Sequence, residues 1–300
     1  MILITGATGV IGARLLNRLV AAGHPVRCLV RDPRTLGPQR VRVQIAVGDL
    51  LDERALSNAM RGVDTVMHLA STIRDQPRGT IEELNGLATW RLVNAAEQHS
   101  VKRLFLLTAL GSSAHSRARF LRSKAFAETA VAQSSVPSCA FAASLVYSSS
   151  DLWLAWLRRI APFLPLVPVT GNGRSLFQPI WAEDAADAMM AAFGGRDQHA
   201  GTLDSSLQHR RIELVGPEIV SHDQLVRGVL RAARLRRPLV HVPLAVVEQV
   251  LYLIEALLGP NAFANWDEAE LLQCSMLGER GTADVEALGV SPLSITAALG

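Results

Sequence analysis

Cysteine and tyrosine are scarce in this chain, and long apolar runs are missing from it. Three cysteines occur in 300 residues, at Cys28, Cys139 and Cys274, and there are only two tyrosines. Cysteines this far apart form neither a metal-binding motif nor a disulfide framework, so we predict no metal site and a reducing, cytoplasmic environment. No stretch reaches the roughly 18 uncharged apolar residues of a membrane span, so no transmembrane segment is expected.

Charge is close to balance as well. The formal net charge is +3, and arginines are spread along the chain, a pattern that does not indicate nucleic-acid binding. Hydrophobic residues make up 49% of the sequence and charged residues 19%, which is typical of a globular protein with a sizeable core. A length of 300 residues accommodates one large or two modest domains.

The first twelve residues carry the most informative pattern. Ile2, Leu3 and Ile4 form an apolar run that predicts a buried parallel strand. Three glycines follow, and then apolar residues recur at helical spacing. The glycines are Gly6, Gly9 and Gly12, and the apolar helix positions are Ile11, Leu15, Leu16, Leu19 and Val20. Glycines let the backbone turn sharply beside a diphosphate, and free N–H groups at a helix start attract anions, so this pattern predicts a dinucleotide site.

The segment T-G-A-T-G-V-I-G, Thr5 to Gly12, resembles the nucleotide-binding loop of extended and atypical short-chain dehydrogenase/reductases. This group includes NAD-dependent epimerase/dehydratase-like and NmrA-like proteins. The chain is most similar to members that include the NADPH-binding peripheral subunit of respiratory complex I. The resemblance implies an α/β fold, a Rossmann-type doubly wound parallel sheet with a smaller C-terminal cap domain. The cofactor contacts that it implies in the loop are Gly6, Thr8, Gly9, Val10, Ile11 and Gly12.

The end of the second predicted strand bears on the choice between NADP and NAD. The strand Val26 to Val30 is followed by Arg31 and Asp32, where dinucleotide folds meet the adenosine ribose. A guanidinium suits a 2′-phosphate by charge and by forked geometry, so Arg31 favours NADP(H). Two alternatives leave NAD(H) open: Arg31 as an ordinary solvated residue, and Asp32 as a ribose ligand.

Two further segments correspond to cofactor contacts of the resembling family. The resemblance implies that Asp49 and Leu50 contact the adenine, although Asp49 also suits the start of the following helix. It places Leu69 and Ala70 beside the diphosphate and the nicotinamide ribose. His68, directly before them, is more typical of a packed histidine than of a catalytic one.

The catalytic motif of the family is incomplete. R-F-L-R-S-K, Arg119 to Lys124, resembles the family's Tyr-x-x-x-Lys motif with Phe120 at the tyrosine position. In the family, the tyrosine protonates the substrate carbonyl, and the lysine one helical turn away binds the nicotinamide ribose. Lys124 retains that second role, whereas Phe120 has no hydroxyl. The resemblance also implies a hydroxyl that holds the substrate carbonyl, for which Thr108, Ser112 and Ser113 are candidates. Tyr147 is a candidate for the missing phenol, and a packed aromatic is the alternative interpretation of Tyr147.

Two functions of different class follow from these motifs. The first is an NADP(H)-dependent oxidoreductase or isomerase that acts on a small organic substrate through a degenerate site. The second is a protein that keeps its dinucleotide as a structural, assembly or redox-sensing element, alone, as a homo-oligomer or with a protein partner. Phe120 favours the second function, while the glycine loop suits both.

The domains are predicted to interleave. Residues 1–147 and 174–197 are expected to form the NAD(P)-binding domain, and residues 148–173 and 198–300 the substrate or cap domain. The apolar stretch Leu152 to Leu166 predicts a helix over the cofactor.

Overall fold

The computed structural model of the chain describes residues 1–148, 165–194, 209–258 and 265–299. Within these ranges the strands are β1 (Ile2–Thr5), β2 (Val26–Val30), β3 (Gln44–Val47), β4 (Thr65–His68), β5 (Arg103–Ala109), β6 (Ser138–Ala143), β7 (Val146–Tyr147), β8 (Val167–Thr170), β9 (Leu176–Phe177), β10 (Ile180–Trp181), β11 (Arg210–Leu214), β12 (Val220–Ser221) and β13 (Leu239–Val242).

The α-helices of the same ranges are α1 (Val10–Ala21), α2 (Glu53–Met60), α3 (Ala88–Gln98), α4 (Arg119–Ala132), α5 (Ala182–Gly194), α6 (His222–Ala232), α7 (Leu244–Leu258), α8 (Trp266–Leu271), α9 (Ala283–Ala287) and α10 (Ile295–Leu299). A 3₁₀ segment covers Pro33–Val41, and a π-helical segment covers Glu82–Leu87 directly before α3. No helix formed by these residues is long and apolar enough to cross a membrane.

Seven parallel strands form the central sheet, in the order β11-β6-β5-β4-β1-β2-β3. The direction of strand succession reverses between β1 and β4. Open α/β sheets bind their ligands in the crevice at the carboxyl ends of such a pair. The sheet is therefore of the Rossmann type, which confirms the predicted fold class. Three two-stranded sheets, β10-β7, β12-β9 and β13-β8, lie outside it.

Apolar layers cover both faces of the central sheet. Because successive residues of a strand point to opposite faces, Ile2 and Ile4 join the layer that contains α1 and α5, and Leu3 joins the layer of α2, α3 and α4. An ion pair fixes α1 against α5, with Arg18 Nη1 2.8 Å from Glu183 Oε2. The glycine turn that follows β1 thus starts from a strand held on both sides.

Part of the C-terminal region belongs to the central sheet, which differs from the predicted domain boundaries. Residues 210–214, assigned from the sequence to the cap, form β11 and pair with β6 at the sheet edge. Behind β11 packs α9, whose Val285 is fully buried. The remaining domain division stays a prediction, and residues 152–164 of the predicted helix lie outside the described residues.

Candidate functional site

The turn after β1 requires glycine at two positions. Gly6 has a φ of +73°, and a Cβ on it would lie 2.4 Å from the backbone nitrogen of Ala70. A Cβ on Gly12 would lie 2.0 Å from the carbonyl oxygen of Gly6. Glycine at these two positions lets the turn pack closely against the end of β4, and lets the first turn of α1 pack against the loop. The predicted loop residues therefore lie together with Leu69 and Ala70 at the crevice.

The start of α1 is open. Its N-cap, Gly9, offers no side-chain cap, and no acidic residue lies in the first turn. Thr8, Gly9 and Val10 are exposed, whereas Ile11 and Gly12 are buried. The N–H groups of a helix start that lack a side-chain partner form a cradle for an anion, and the helix dipole adds to the attraction. This geometry suits a diphosphate.

His68 is a packed residue that connects β1, β4 and α3. Its Nδ1 lies 2.6 Å from Thr5 Oγ1, and its Nε2 lies 2.9 Å from Thr89 Oγ1. Burial, together with the nearby charge of Lys124, lowers the pKa of His68 to about 3. Both ring nitrogens are engaged within the fold, so His68 acts as a structural link.

Arg31 and Asp32 lie at the end of β2 and differ in their contacts. Arg31 is exposed and has no side-chain hydrogen bond or ion pair with any residue that the structure describes. The carboxylate of Asp32 accepts a hydrogen bond from the backbone N–H of Arg34 at 2.9 Å and so caps the 3₁₀ segment. Capping occupies one carboxylate oxygen, whereas the Arg31 guanidinium has all its donors available.

Asp49 and Leu50 follow β3, at the same edge of the sheet. Asp49 Oδ1 accepts the N–H of Leu51 at 3.0 Å, which closes a turn. The cap of α2 is Asp52 rather than Asp49. Leu50 packs on the cluster beneath α2. Asp49 therefore shapes the loop without starting the helix, which was its alternative role.

Lys124 and Phe120 lie together on α4, one helical turn apart. Nζ of Lys124 is 5.7 Å from the centroid of the Phe120 ring and donates a hydrogen bond to the carbonyl oxygen of Leu107 at 3.0 Å. Burial lowers the pKa of Lys124 to about 8, although the Glu128 carboxylate acts in the opposite direction. The side chain therefore gains or loses its proton close to neutral pH.

Phe120 is part of an apolar cluster at the carboxyl ends of β5 and β6, and it is only 9% exposed. Other buried members of this cluster are Ile81, Leu110, Leu121, Ala142, Phe177 and Met276. An aromatic ring thus lies among apolar side chains at the position that the sequence motif predicts for the phenol.

The two other candidate hydroxyls already have partners. Thr108 Oγ1 donates to Glu128 Oε1 at 2.6 Å, and the other oxygen of that carboxylate lies 3.2 Å from Arg211 Nε. Tyr147 packs against Trp181, with ring centroids 5.1 Å apart, and its hydroxyl is 3.4 Å from the carbonyl oxygen of Leu293. Burial raises the pKa of Tyr147. Tyr147 belongs to a different apolar cluster from Phe120.

Comparison with known families agrees with this geometry. Residues 6–144, from the first glycine of the turn to the end of β6, match the model of the NAD(P)H-binding family. Residues 6–144 are therefore similar to an NAD(P)H-binding domain, and we refer to them by that name.

Individual relatives and solved structures match a longer part of the chain. The mitochondrial NADH dehydrogenase [ubiquinone] 1 alpha subcomplex subunit 9 of Arabidopsis thaliana is 26% identical over 232 residues, which cover 73% of this chain and 54% of that protein. The structure of an NADPH-dependent quinone oxidoreductase from Escherichia coli, complexed with NADPH, superposes with a TM-score of 0.77 at 17% identity, covering 100% of this chain and 98% of that chain. A nucleoside-diphosphate-sugar epimerase from Staphylococcus aureus superposes with a TM-score of 0.73 at 17% identity, covering 99% of both chains.

These findings confirm the predicted resemblance, since the family match, the complex I relative and the neighbours of the epimerase/dehydratase group all bear it out. The structural neighbours share the fold at low identity. The chain spans between 32% and 60% of the length of eight curated relatives that it matches.

One polar residue of the NAD(P)H-binding domain was missed by the sequence reading. Asn85, 1% exposed, lies in the π-helical segment. Its Oδ1 accepts the N–H of Thr72 at 2.9 Å, and its Nδ2 donates to the carbonyl oxygen of Thr72 at 2.8 Å and to Ser123 Oγ at 3.2 Å. Asn85 thereby ties the loop after β4 to the residue beside Lys124. An asparagine inside an otherwise helical pattern was the available signal, because asparagine disfavours helix interiors.

Proposed function

We propose that this protein binds NADP(H) in the crevice between β1 and β4 and does not reduce carbonyls by the tyrosine–lysine route of its relatives. The observation that carries the proposal is Phe120, buried among apolar side chains at the position of the proton donor. Thr108 and Tyr147 do not replace that donor, because the hydroxyl of Thr108 donates to Glu128 and that of Tyr147 lies in another cluster. The dinucleotide then serves a structural, assembly or sensing role.

The loop residues and Lys124 would hold the cofactor. The open start of α1, from Gly9 to Gly12, would receive the diphosphate, and Lys124 would face the nicotinamide ribose. A bound nicotinamide dinucleotide supplies a hydride donor or acceptor. NADP(H) is favoured over NAD(H) because the Arg31 guanidinium is exposed while the Asp32 carboxylate caps a turn.

A second candidate function rests on Lys124. An ammonium whose pKa is lowered to about 8 by burial is a competent proton donor at neutral pH. Lys124 would then protonate the oxygen of a small organic substrate itself, and the protein would be a reductase or isomerase without a phenol. Its present hydrogen bond to the Leu107 carbonyl would have to break first.

The substitution Phe120→Tyr separates the two functions. Under the proposal, the wild-type protein binds NADPH but does not oxidise it with small aldehydes. Phe120→Tyr should turn over these aldehydes measurably, because its phenol would lie one helical turn from Lys124. The measurement is the loss of NADPH absorbance. The matched control is Phe126→Tyr, which adds a phenol to a side chain of the same helix that is 53% exposed.

Each result decides something. Turnover by the wild-type protein would favour the Lys124 mechanism and contradict the proposal. A Phe120→Tyr protein that folds and binds NADPH yet stays inactive would contradict the assignment of Phe120 to the proton-donor position.

A further inference from the structure

Residues 265–278, which we call the C-terminal clamp, pack over the Phe120 cluster. The clamp consists of Asn265 as N-cap, α8 and the seven residues after it. Leu271, Leu272, Cys274 and Met276 contribute to the cluster around Phe120. The clamp therefore covers the side of α4 on which the proposed function places the nicotinamide end of the dinucleotide.

Charged groups hold the front of the clamp. Arg119 Nη1 lies 3.4 Å from Asp267 Oδ2, and Nη2 of the same guanidinium lies 3.2 Å from Asp75 Oδ1 and 2.7 Å from Glu82 Oε2. Three carboxylates thus surround one positive charge. Burial raises the pKa of Asp267, so its charge depends on this pairing. Without Arg119, the carboxylates would repel one another and push Asp267 away.

A second ion pair also holds the front of the clamp. Arg74 Nε donates to Glu268 Oε1 at 3.0 Å. Arg74 lies in the loop after β4, so both pairs attach α8 to loops of the NAD(P)H-binding domain. The side chains of Arg74 and Arg119 are 31% and 30% exposed. Both ion pairs are therefore open to screening by salt.

Hydrogen bonds to the backbone hold the rear of the clamp. Ser144 Oγ donates to the carbonyl oxygen of Met276 at 2.7 Å, and the N–H of Met276 donates to the carbonyl oxygen of Leu176 at 2.8 Å. The N–H of Gly278 donates to Gln178 Oε1 at 3.2 Å. Ser144 and Gln178 are buried, so salt screens these bonds far less than the ion pairs at the front.

We propose that the front of the C-terminal clamp is a gate that opens about its rear attachment and controls passage of NADP(H) to and from the nicotinamide side of the site. The proposal rests on the proposed binding of NADP(H). Closed, the gate shields Phe120 and Lys124 from water. Opening requires the Arg74 and Arg119 pairs to break while the bonds at Met276 and Gly278 persist.

The test measures NADPH exchange by stopped-flow fluorescence. We expect the dissociation rate of NADPH to rise about tenfold in Arg119→Gln, with a smaller change in Kd because association accelerates as well. Asp267→Asn removes one carboxylate and keeps the Arg119 guanidinium. It should also raise both the dissociation rate and the association rate of NADPH. Raising NaCl from about 0.05 M to about 0.5 M should accelerate exchange more in the wild-type protein than in Arg119→Gln, where only the Arg74 pair is left to be screened.

The control is Lys102→Gln, whose lost pair with Asp64 at 3.9 Å lies at the amino end of the sheet. It should leave both rates unchanged, and circular dichroism should show that every variant is folded.

Equal rates in the wild-type protein, Arg119→Gln and Asp267→Asn would overturn the gate but not NADPH binding. Absence of NADPH binding in the wild-type protein and both variants would overturn the proposed function, and the gate with it. NADPH binding by Arg119→Gln and Asp267→Asn but not by the wild-type protein would support the gate.

Discussion

Arg31 is the residue on which the choice of cofactor depends. It is exposed and forms no ion pair with the described residues, so its removal costs the fold little. A guanidinium on a 2′-phosphate forms charge-assisted hydrogen bonds. We therefore expect Arg31→Ala to weaken NADPH binding about 10- to 100-fold and to leave NADH binding nearly unchanged. Calorimetric titration with each nucleotide measures both affinities.

The comparison for this prediction is Arg40→Ala, which changes an exposed arginine of the 3₁₀ segment that follows Arg31. It removes an equal charge from the same region and should affect neither nucleotide. Equal losses for NADPH and NADH in Arg31→Ala would contradict a contact with the 2′-phosphate, and would return Asp32 to consideration as a ribose ligand.

Residues inside a short motif were predictable from the sequence, and residues joined by tertiary contacts were not. Phe120 and Lys124 belong to one six-residue segment, and the structure places them together on α4 as that spacing requires. Glu128, which holds both Thr108 and Arg211, gives no such signal, because Arg211 is 83 positions away in sequence. Asn85 likewise acts on a loop 13 positions earlier.

The β1–turn–α1 unit leaves no room for a methyl group at Gly12. A Cβ at Gly12 would meet the carbonyl oxygen of Gly6 at 2.0 Å, and neither backbone can yield without displacing α1 from β1. We expect Gly12→Ala to lower the free energy of unfolding by about 2 kcal/mol and to abolish NADPH binding. Urea unfolding and calorimetry measure the two effects.

The matched substitution is Gly194→Ala at the end of α5, where a Cβ would meet no atom of the described residues within 4 Å. It should leave binding unaltered and the free energy of unfolding unchanged or slightly raised, because alanine is the better helix former. A Gly12→Ala protein as stable as this control would show that the turn relaxes more readily than its contacts indicate.

The buried strands were predictable from the sequence, because apolar runs identify them. The predicted strand of Ile2, Leu3 and Ile4 corresponds to β1, and the predicted strand Val26 to Val30 corresponds to β2. The place of β11 in the sheet was missed, because an edge strand that begins Arg210-Arg211 reads as a short separate strand. Those arginines pair with Asp284 and Glu128, which are distant in sequence. The π-helical segment before α3 has no periodic signature of its own.

For the molecule as a whole, a buried neutral histidine is one source of lost stability in acid. Burial lowers the pKa of His68 from 6.5 to about 3, and the pKa values of His24 and His222 shift in the same direction. Between those values the unfolded chain binds a proton that the folded protein excludes, so stability is lost as pH falls below 6.5. We expect the free energy of unfolding to drop by up to about 1.4 kcal/mol per pH unit on account of His68.

Urea unfolding at about pH 7.5, 6 and 5 measures this slope. His68→Gln should show a shallower dependence than the wild-type protein, and His115→Gln, at an exposed position, should match the wild-type slope. Parallel curves for the wild-type protein and His68→Gln would contradict a neutral His68 in the fold.

The position of β11 at the sheet edge has a consequence for how the chain reaches its fold. β6 pairs with β5 on one side, and its other side is completed only by residues 210–214. During synthesis, the part that ends near residue 144 therefore has an unpaired strand edge that includes the apolar Cys139 and Phe141. Such an edge is a template for strands of other chains until β11 arrives. We therefore expect a fragment that ends near residue 144 to aggregate more readily than the whole chain.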